Sequence, residues 1–350
     1  MEGIKDEVEL KCLSVLCGDA IIIRFLGADG IHHNMLIDGG FSKTYQTVLK
    51  PAISEIVLNS ETIDLLILSH YDLDHIGGII QLVNDKSVDL HQLVTRWWLN
   101  IDIPLTNPGG PITIQQLLTL KAALQQKNIE HHSPIIVSET PFDLFGASIR
   151  VLSPDEFRYN AAQELIEQQS AAIARSGNDY QHRVEYFEST VLREPKQDDQ
   201  PSNGSSIAIL FTLDGKKVLL MADAFPSVIS ASIRALGYDD KDNPLILQSV
   251  KLSHHGSKAN ISNEFLKLIR TTKFIISANA TNTHNLPNKE TIVRILLNSI
   301  RDEETYFDFY FTHKNNELEN MFLVDGPDIY SRWRFRMHFP DAGETSILVN

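Results

Sequence analysis

The stretch that decides the fold runs Ser69-His70-Tyr71-Asp72-Leu73-Asp74-His75-Ile76-Gly77-Gly78. It follows a continuous apolar run, Ile63 to Leu68, of the kind found in a strand buried on both faces of a layered α/β domain. Four metal-ligand side chains fall within six positions, His70, Asp72, Asp74 and His75. A loop at a strand end can turn several side chains toward one point, and two imidazoles with two carboxylates suit divalent transition metals. The plain alternative is a polar strand-to-helix loop with an Asp as helix cap; the density of ligands favours a metal site. Gly77-Gly78 reads as a close turn beneath the ions that opens a helix to about Val83.

Three further segments repeat the pattern of an apolar strand running into ligand-type residues. They are Leu36-Ile37-Asp38-Gly39-Gly40, Val218-Leu219-Leu220-Met221-Ala222-Asp223-Ala224, and Val250-Lys251-Leu252-Ser253-His254-His255-Gly256-Ser257. Alone, Asp38 and Asp223 are ordinary strand-end turn residues; the adjacent pair His254-His255 is harder to explain as a turn.

Outward from these motifs, short β-rich runs at Val8 to Val15, Ala20 to Phe25 and Asn34 to Ile37 predict strands. Tyr45 to Leu58 predicts a helix with a kink at Pro51, Ile114 to Asn128 a second and Lys289 to Ile300 a third. Strands are predicted at Leu93 to Leu99, at Ile135 to Val137 and from Ser206 to Leu220, broken by the turn at Leu213-Asp214-Gly215. The segment 154–201 is rich in Glu, Gln, Ala and Asp and ends in Glu194-Pro195-Lys196-Gln197-Asp198-Asp199-Gln200-Pro201, polar and not expected to pack. It reads as an insertion or lid within one domain spanning 1–350, with a partner surface as an alternative use, and 306–350 reads as C-terminal strands.

The bulk numbers bound the function. Hydrophobic residues make up 43% and charged residues 22% of 350, enough for a substantial core. A balance of 31 basic against 45 acidic side chains gives a net charge of -14, which argues against sequence-blind wrapping of nucleic acid. It does not exclude a nucleic-acid substrate where metal ions supply the positive charge. Cys12 and Cys17, the two cysteines, sit poorly for a disulfide and read as buried thiols of a reducing cytoplasm. The acidic N-terminus is unlike a signal peptide, and no run of about eighteen apolar residues predicts a membrane span.

Together the motifs resemble the metallo-β-lactamase fold superfamily, whose ligand motif is HxHxDH. They are most similar to the branch typified by the soluble hydrolase domain of the DNA-uptake channel protein ComEC. The Gly18-Asp19-Ala20 segment, Asp-Gly-Gly, HxDxDHxGG, Asn-x-x-Ser, an Asp-Ala pair at Asp223-Ala224 and His-His-Gly-Ser occur in the order of that branch, over roughly residues 13 to 290. The resemblance implies an αββα sandwich with metals at one edge of two sheets, a helical insertion and a β-rich tail. It implies that His70, Asp72, Asp74, His75 and Asp223 hold two divalent ions, Zn or Mn with Fe possible, with Asp223 bridging them. One of His254 and His255 completes the second ion; His255 is favoured as ligand and His254 as proton donor. Asp38 supports a ligand through a hydrogen bond, and His284 is a reserve ligand or substrate contact.

Three departures matter. Asp72 stands where the motif has its second histidine, a harder donor that makes Mn or Fe as plausible as Zn. The third-motif histidine is replaced by Ser202-Asn203-Gly204, which offers Asn203, so one metal position is expected to bind weakly. Ala222 replaces the usual glycine before Asp223.

The expected activity is hydrolysis by a metal-bound hydroxide, with Asp74 and His254 as catalytic groups, on a phosphodiester as a nuclease or phosphodiesterase. The alternatives are a small ester, lactone or phosphocholine-type substrate, and a degenerate metal-binding module that serves a partner protein without catalysis. Arg332, Arg334 and Arg336, alternating with Trp333 and Phe335, read as a half-buried strand and as the first candidate for a phosphate-backbone contact.

Overall fold

The computed structural model describes residues 8–101, 112–168, 178–281, 285–341 and 344–349. Two sheets face each other. The first holds β1 (Val8–Leu13), β2 (Ile21–Leu26), β3 (His32–Ile37), β4 (Ile63–Leu68) and β5 (Trp97–Leu99) in chain order, closed at its other edge by the C-terminal strand Glu344–Val349. The second holds β6 (Phe142–Leu144), β7 (Ala147–Ser153), β8 (Ala208–Leu213) and β9 (Lys216–Leu220). It continues, beyond a small separate pair β10 (Leu245–Ile246) and β12 (Ile269–Arg270), with β11 (Ser249–Lys251), β13 (Lys273–Ile276), β14 (Phe307–Phe311) and β15 (Phe335–His338).

Alternation along the strands builds the layers. Leu10, Ile21, Ile23, Phe25, Met35, Leu65 and Ile67 from the first sheet meet Ile149, Ile209, Phe211, Val218 and Leu220 from the second in one buried cluster between the sheets. On the outer face of the first sheet lie α1 (Lys50–Leu58), α2 (Leu73–Asn84) and α4 (Ile112–Gln126), with α3 (Leu90–Leu93) between them. On the outer face of the second lie α6 (Val184–Val191), α8 (Pro226–Ala235), α9 (Asn263–Leu268) and α10 (Lys289–Asn298). This is the αββα sandwich. Among the described residues no helix is long and apolar enough to cross a membrane.

Strand direction positions the site. β3 and β4 are parallel, as are β9, β11 and β13, so the residues following each strand emerge at one edge of the sandwich. Asp38, Ser69-His70, Asp223, His254-His255 and Ser277 are those residues. β2 runs antiparallel to β3 and starts just after Asp19, which brings Asp19 to the same edge.

Several expectations are corrected. The helix expected to open at Gly77 starts at Leu73, so Asp74 and His75 stand in its first turn, where an acidic side chain is stabilised by the helix N-terminus. Gly77 and Gly78 therefore make no turn. A Cβ at Gly78 would stand 2.0 Å from the Gly39 carbonyl oxygen, so the glycine lets α2 press against the loop after β3. Residues 135–137 form no strand, and β5 is only three residues long, preceded by α3 and a short connection.

The segment 154–201 packs more than its polarity suggests. Its helix α5 (Glu156–Gln168) places Ala162 and Ile166 in the core outside the first sheet, and α6 places Val184, Phe187 and Val191 in the core outside the second. Gln169 and the alanine-rich stretch from Ala171 to Ala174 lie outside the described residues. The tail is not strands alone: it includes short helical turns at Asn316–Glu319 and Ile329–Arg332, so the three arginines share no strand face. Each already faces a carboxylate: Arg332 with Glu185 at 3.2 Å, Arg334 with Glu304 at 3.7 Å and Arg336 with Asp308 at 3.4 Å.

Candidate metal centre

Asp223 is the hub. Its Oδ1 lies 3.6 Å from His75 Nε2 and 3.8 Å from His255 Nε2. Its Oδ2 lies 3.7 Å from His70 Nε2 and 3.8 Å from His254 Nε2. These separations are too long for hydrogen bonds. Two ligand atoms that share a tetrahedral ion at about 2.1 Å each stand about 3.4 Å apart, which is close to what is found here.

The far side of each ring is tied down. His75 Nδ1 is 2.8 Å from Asp38 Oδ2, while Asp38 Oδ1 accepts the Ser69 backbone N–H at 2.7 Å and Oδ2 accepts the Ser69 hydroxyl at 2.6 Å. His70 Nδ1 is 3.1 Å from that same hydroxyl. His255 Nδ1 donates to the Ser277 carbonyl at 2.9 Å, and the Ser277 hydroxyl donates in turn to Asp19. The near sides make no hydrogen bond: Nε2 of His70, His75 and His255, and Oδ1 of Asp223, are buried, and the nearest charged neighbour among them is Asp74 Oδ2, 3.2 Å from His255 Nε2. Buried polar atoms without hydrogen bonds are costly, and their gathering around the two oxygens of Asp223 fits divalent cations. His70, His75 and Asp223 form one compact ligand set, and Asp74, His75 and His255 another.

The electrostatics agree. Burial disfavours charge on His75, yet Asp223, Asp38 and Asp74 overcome it and hold its pKa well above the usual imidazole range. Burial likewise opposes ionisation of Asp223 and Asp74, but the surrounding imidazoles keep Asp223 well below the carboxylate range and His75 and His255 bring Asp74 to about 2. Protons on the imidazoles balance these carboxylates, and a cation bound there would take over that balance by displacing them.

Asp74 Oδ2 reaches His255 Nε2 at 3.2 Å. Asp72 stands at the rim, its side chain 30% exposed, 3.7 Å from His70 Nε2 and 3.4 Å from Ser202 Oγ. Asn203 is buried, but its amide nitrogen donates to Asp198 Oδ2 at 2.7 Å. His284 lies outside the described residues. The backbone is bent to make this centre. Asp38, Ala222, His254 and His255 all have positive φ, at +59°, +45°, +46° and +55°, a conformation that costs about 1–3 kcal/mol for a non-glycine residue.

Sequence reasoning missed a supporting layer. Lys251, 0% exposed, donates to Asp19 Oδ2 at 2.7 Å and to the Leu252 carbonyl at 3.0 Å, so Asp19 is held between Lys251 and Ser277. The signals were a lysine inside the apolar run Val250-Lys251-Leu252 and the acid of Gly18-Asp19-Ala20. Asp198 and Asn260 were also missed, and no local pattern marks either.

Residues 18–91, about a fifth of the chain, match the family model described as Metallo-beta-lactamase superfamily. That span contains Asp38 and the whole Ser69–Gly78 motif. Among curated proteins, none matches the chain. Among solved structures, it is similar to the metallo-beta-lactamase fold protein YhfI from Bacillus subtilis, at 12% identity over 81% of this chain and 92% of that one, with a TM-score of 0.37. It is similar also to CmlA, a diiron beta-hydroxylase from Streptomyces venezuelae, at 11% identity over 99% of this chain and 55% of that one, with a TM-score of 0.42. The chain thus spans little more than half of CmlA. The family-model match falls on the segment that carries the Ser69–Gly78 motif, and the αββα sandwich gathers the motif residues at one edge.

Proposed function

We propose that the chain is a metal-dependent hydrolase acting on phosphodiesters. The observation that carries the reading is the gathering around the buried Asp223 carboxylate of three buried imidazole nitrogens that make no hydrogen bond, Nε2 of His70 toward one oxygen and Nε2 of His75 and His255 toward the other. His70, Asp72, Asp74, His75, His255 and Asp223 would hold two divalent ions, with Asp223 offering one oxygen to each. Such ions supply Lewis acidity and lower the pKa of water.

The chain's own residues do the rest. Asp38 and Ser69 fix the His75 and His70 rings, and the Ser277–Asp19–Lys251 chain fixes His255, so the ligand nitrogens are preset before anything binds. Asp74, part-exposed beside His255, is placed to accept the proton of an attacking water. The rim formed by Asp72, Ser202 and His254 is where a substrate would enter.

Phosphodiester as substrate class rests on the ComEC-like order of motifs in the sequence. The net charge of -14 favours a small phosphodiester over a long polymer, or a small ester or lactone instead. Hydrolysis of bis-p-nitrophenyl phosphate with Mn or Zn supplied in turn, beside p-nitrophenyl acetate, tests the reading. Metal-dependent release of p-nitrophenol from the diester, abolished in Asp74→Ala, is expected. Turnover of the acetate alone would replace the phosphodiester with an ester, and no turnover of either substrate by metal-loaded chain would overturn the hydrolase.

A further inference from the structure

We propose that His254 is itself a ligand of this centre, through Nε2, and that Asp198, delivered by the 154–201 segment, is the residue that positions it. The pair takes the place of the histidine that the superfamily motif carries where this chain has Ser202-Asn203-Gly204. The inference rests on the reading of the site as a divalent metal centre.

Neighbouring side chains on a strand point to opposite sides. Here they do not: the left-handed backbone at both His254 and His255 swings the two rings toward one carboxylate, His254 onto Asp223 Oδ2 and His255 onto Oδ1. Asp223 Oδ2 is the oxygen that also faces His70. The carboxylate therefore has an imidazole pair on each oxygen, His70 and His254 on one, His75 and His255 on the other.

The other nitrogen of His254 is occupied. Nδ1 lies 3.0 Å from Asn260 Oδ1 and 3.2 Å from Asp198 Oδ2. Asp198 is only 7% exposed at its side chain and is locked by the amides of Asn203 at 2.7 Å and Asn260 at 3.0 Å. This repeats the device at His75, where buried Asp38 takes Nδ1 and leaves Nε2 toward Asp223. A carboxylate on the remote nitrogen is what metal-bound histidines characteristically have. His254 and Asp72 are 25% and 30% exposed at their side chains, so two of the three donors beside Asp223 Oδ2 are open to water, against Asp74 alone at 23% beside His75 and His255, and the ion on the His254 side would be the weaker of the two.

The test is zinc binding by the dialysed full chain, read as stoichiometry by elemental analysis and as affinity by titration against a competing chelator. Wild type, His254→Ala and Asp198→Asn are compared, with circular dichroism as a folding control. The expected result is that His254→Ala loses the weaker zinc and keeps the tighter one, while Asp198→Asn weakens that same zinc by about 10–100-fold. Unchanged stoichiometry and affinity in His254→Ala would overturn the proposal and return His254 to a proton-donor role. Should His254→Ala fail to fold, the near-isosteric Asp198→Asn decides alone, and wild-type affinity in it overturns the proposal. Wild-type chain that binds no zinc or manganese would instead overturn the metal-centre reading itself.

Discussion

Replacing Lys251 by methionine isolates what supports the centre from what composes it. Lys251 and Asp19 are 0% and 1% exposed, so solvent screening scarcely weakens their attraction and neither charge has water to fall back on. Methionine keeps the volume of the side chain but leaves the Asp19 carboxylate with only the Ser277 hydroxyl and the edge of His255, whose Nδ1 is 3.6 Å away. It also strips a donor from the Leu252 carbonyl. Removing one partner of a buried pair costs about 3–5 kcal/mol, because an uncompensated charge remains. Lys251→Met should therefore lose about that much in equilibrium urea unfolding. Adding Asp19→Asn to it removes the stranded charge and should recover at least half of the loss. The double-mutant cycle then reports coupling between the two sites. A Lys251→Met chain within 1 kcal/mol of wild type, or a double variant no more stable than Lys251→Met alone, would refute the reading of Lys251 and Asp19 as a buried ion pair that supports the centre.

Three further outcomes follow from particular contacts. Asp38→Ala frees the His75 ring and should lower metal affinity by about 10–100-fold, measured by chelator competition. Gly78→Ala puts a Cβ against the backbone of Gly39, which cannot yield as a side chain would, and should cost at least about 2 kcal/mol in chemical unfolding. His313 gives a pH signature away from the centre. Burial lowers its pKa from 6.5 to about 4, and its Nε2 accepts the Leu16 N–H at 3.0 Å, which only an unprotonated nitrogen can do. The folded chain holds that proton less well than the unfolded one. The stability is therefore complete above pH 6.5 and falls, by up to about 3 kcal/mol, as pH drops from 6.5 toward 4. Unfolding free energies across that range should show the fall in wild type and a flatter profile in His313→Asn.

What was legible in the sequence was what is local. Ile63 to Leu68 running into His70 announced a buried strand feeding a site, because an apolar run and a cluster of ligand types are adjacent in the chain. The same logic picked out Asp38, Asp223 and the His254-His255 pair, and these do meet at one edge. The start of α2 is not legible at Gly77-Gly78, because a glycine pair that signals a turn here serves instead the close packing of a helix on the loop after β3. Asp198 and Asn260 were invisible for a different reason. Asp198 is 56 residues from its partner His254, and only the way the 154–201 segment folds back brings the two together; Asn260 is six residues from His254, but no residue pattern marks an Asn there as its partner. The roles of His254 and His255 could not be separated in the sequence because they depend on two consecutive left-handed residues, a conformation that non-glycine side chains seldom signal.

Whether the atoms around Asp223 hold divalent ions can be read from anomalous scattering by crystals of the full chain grown with manganese. Strong anomalous density is expected in contact with Asp223, bordered by His70 on one side and by His75 and His255 on the other. Crystals with manganese in the solution and no anomalous density touching Asp223 would contradict it.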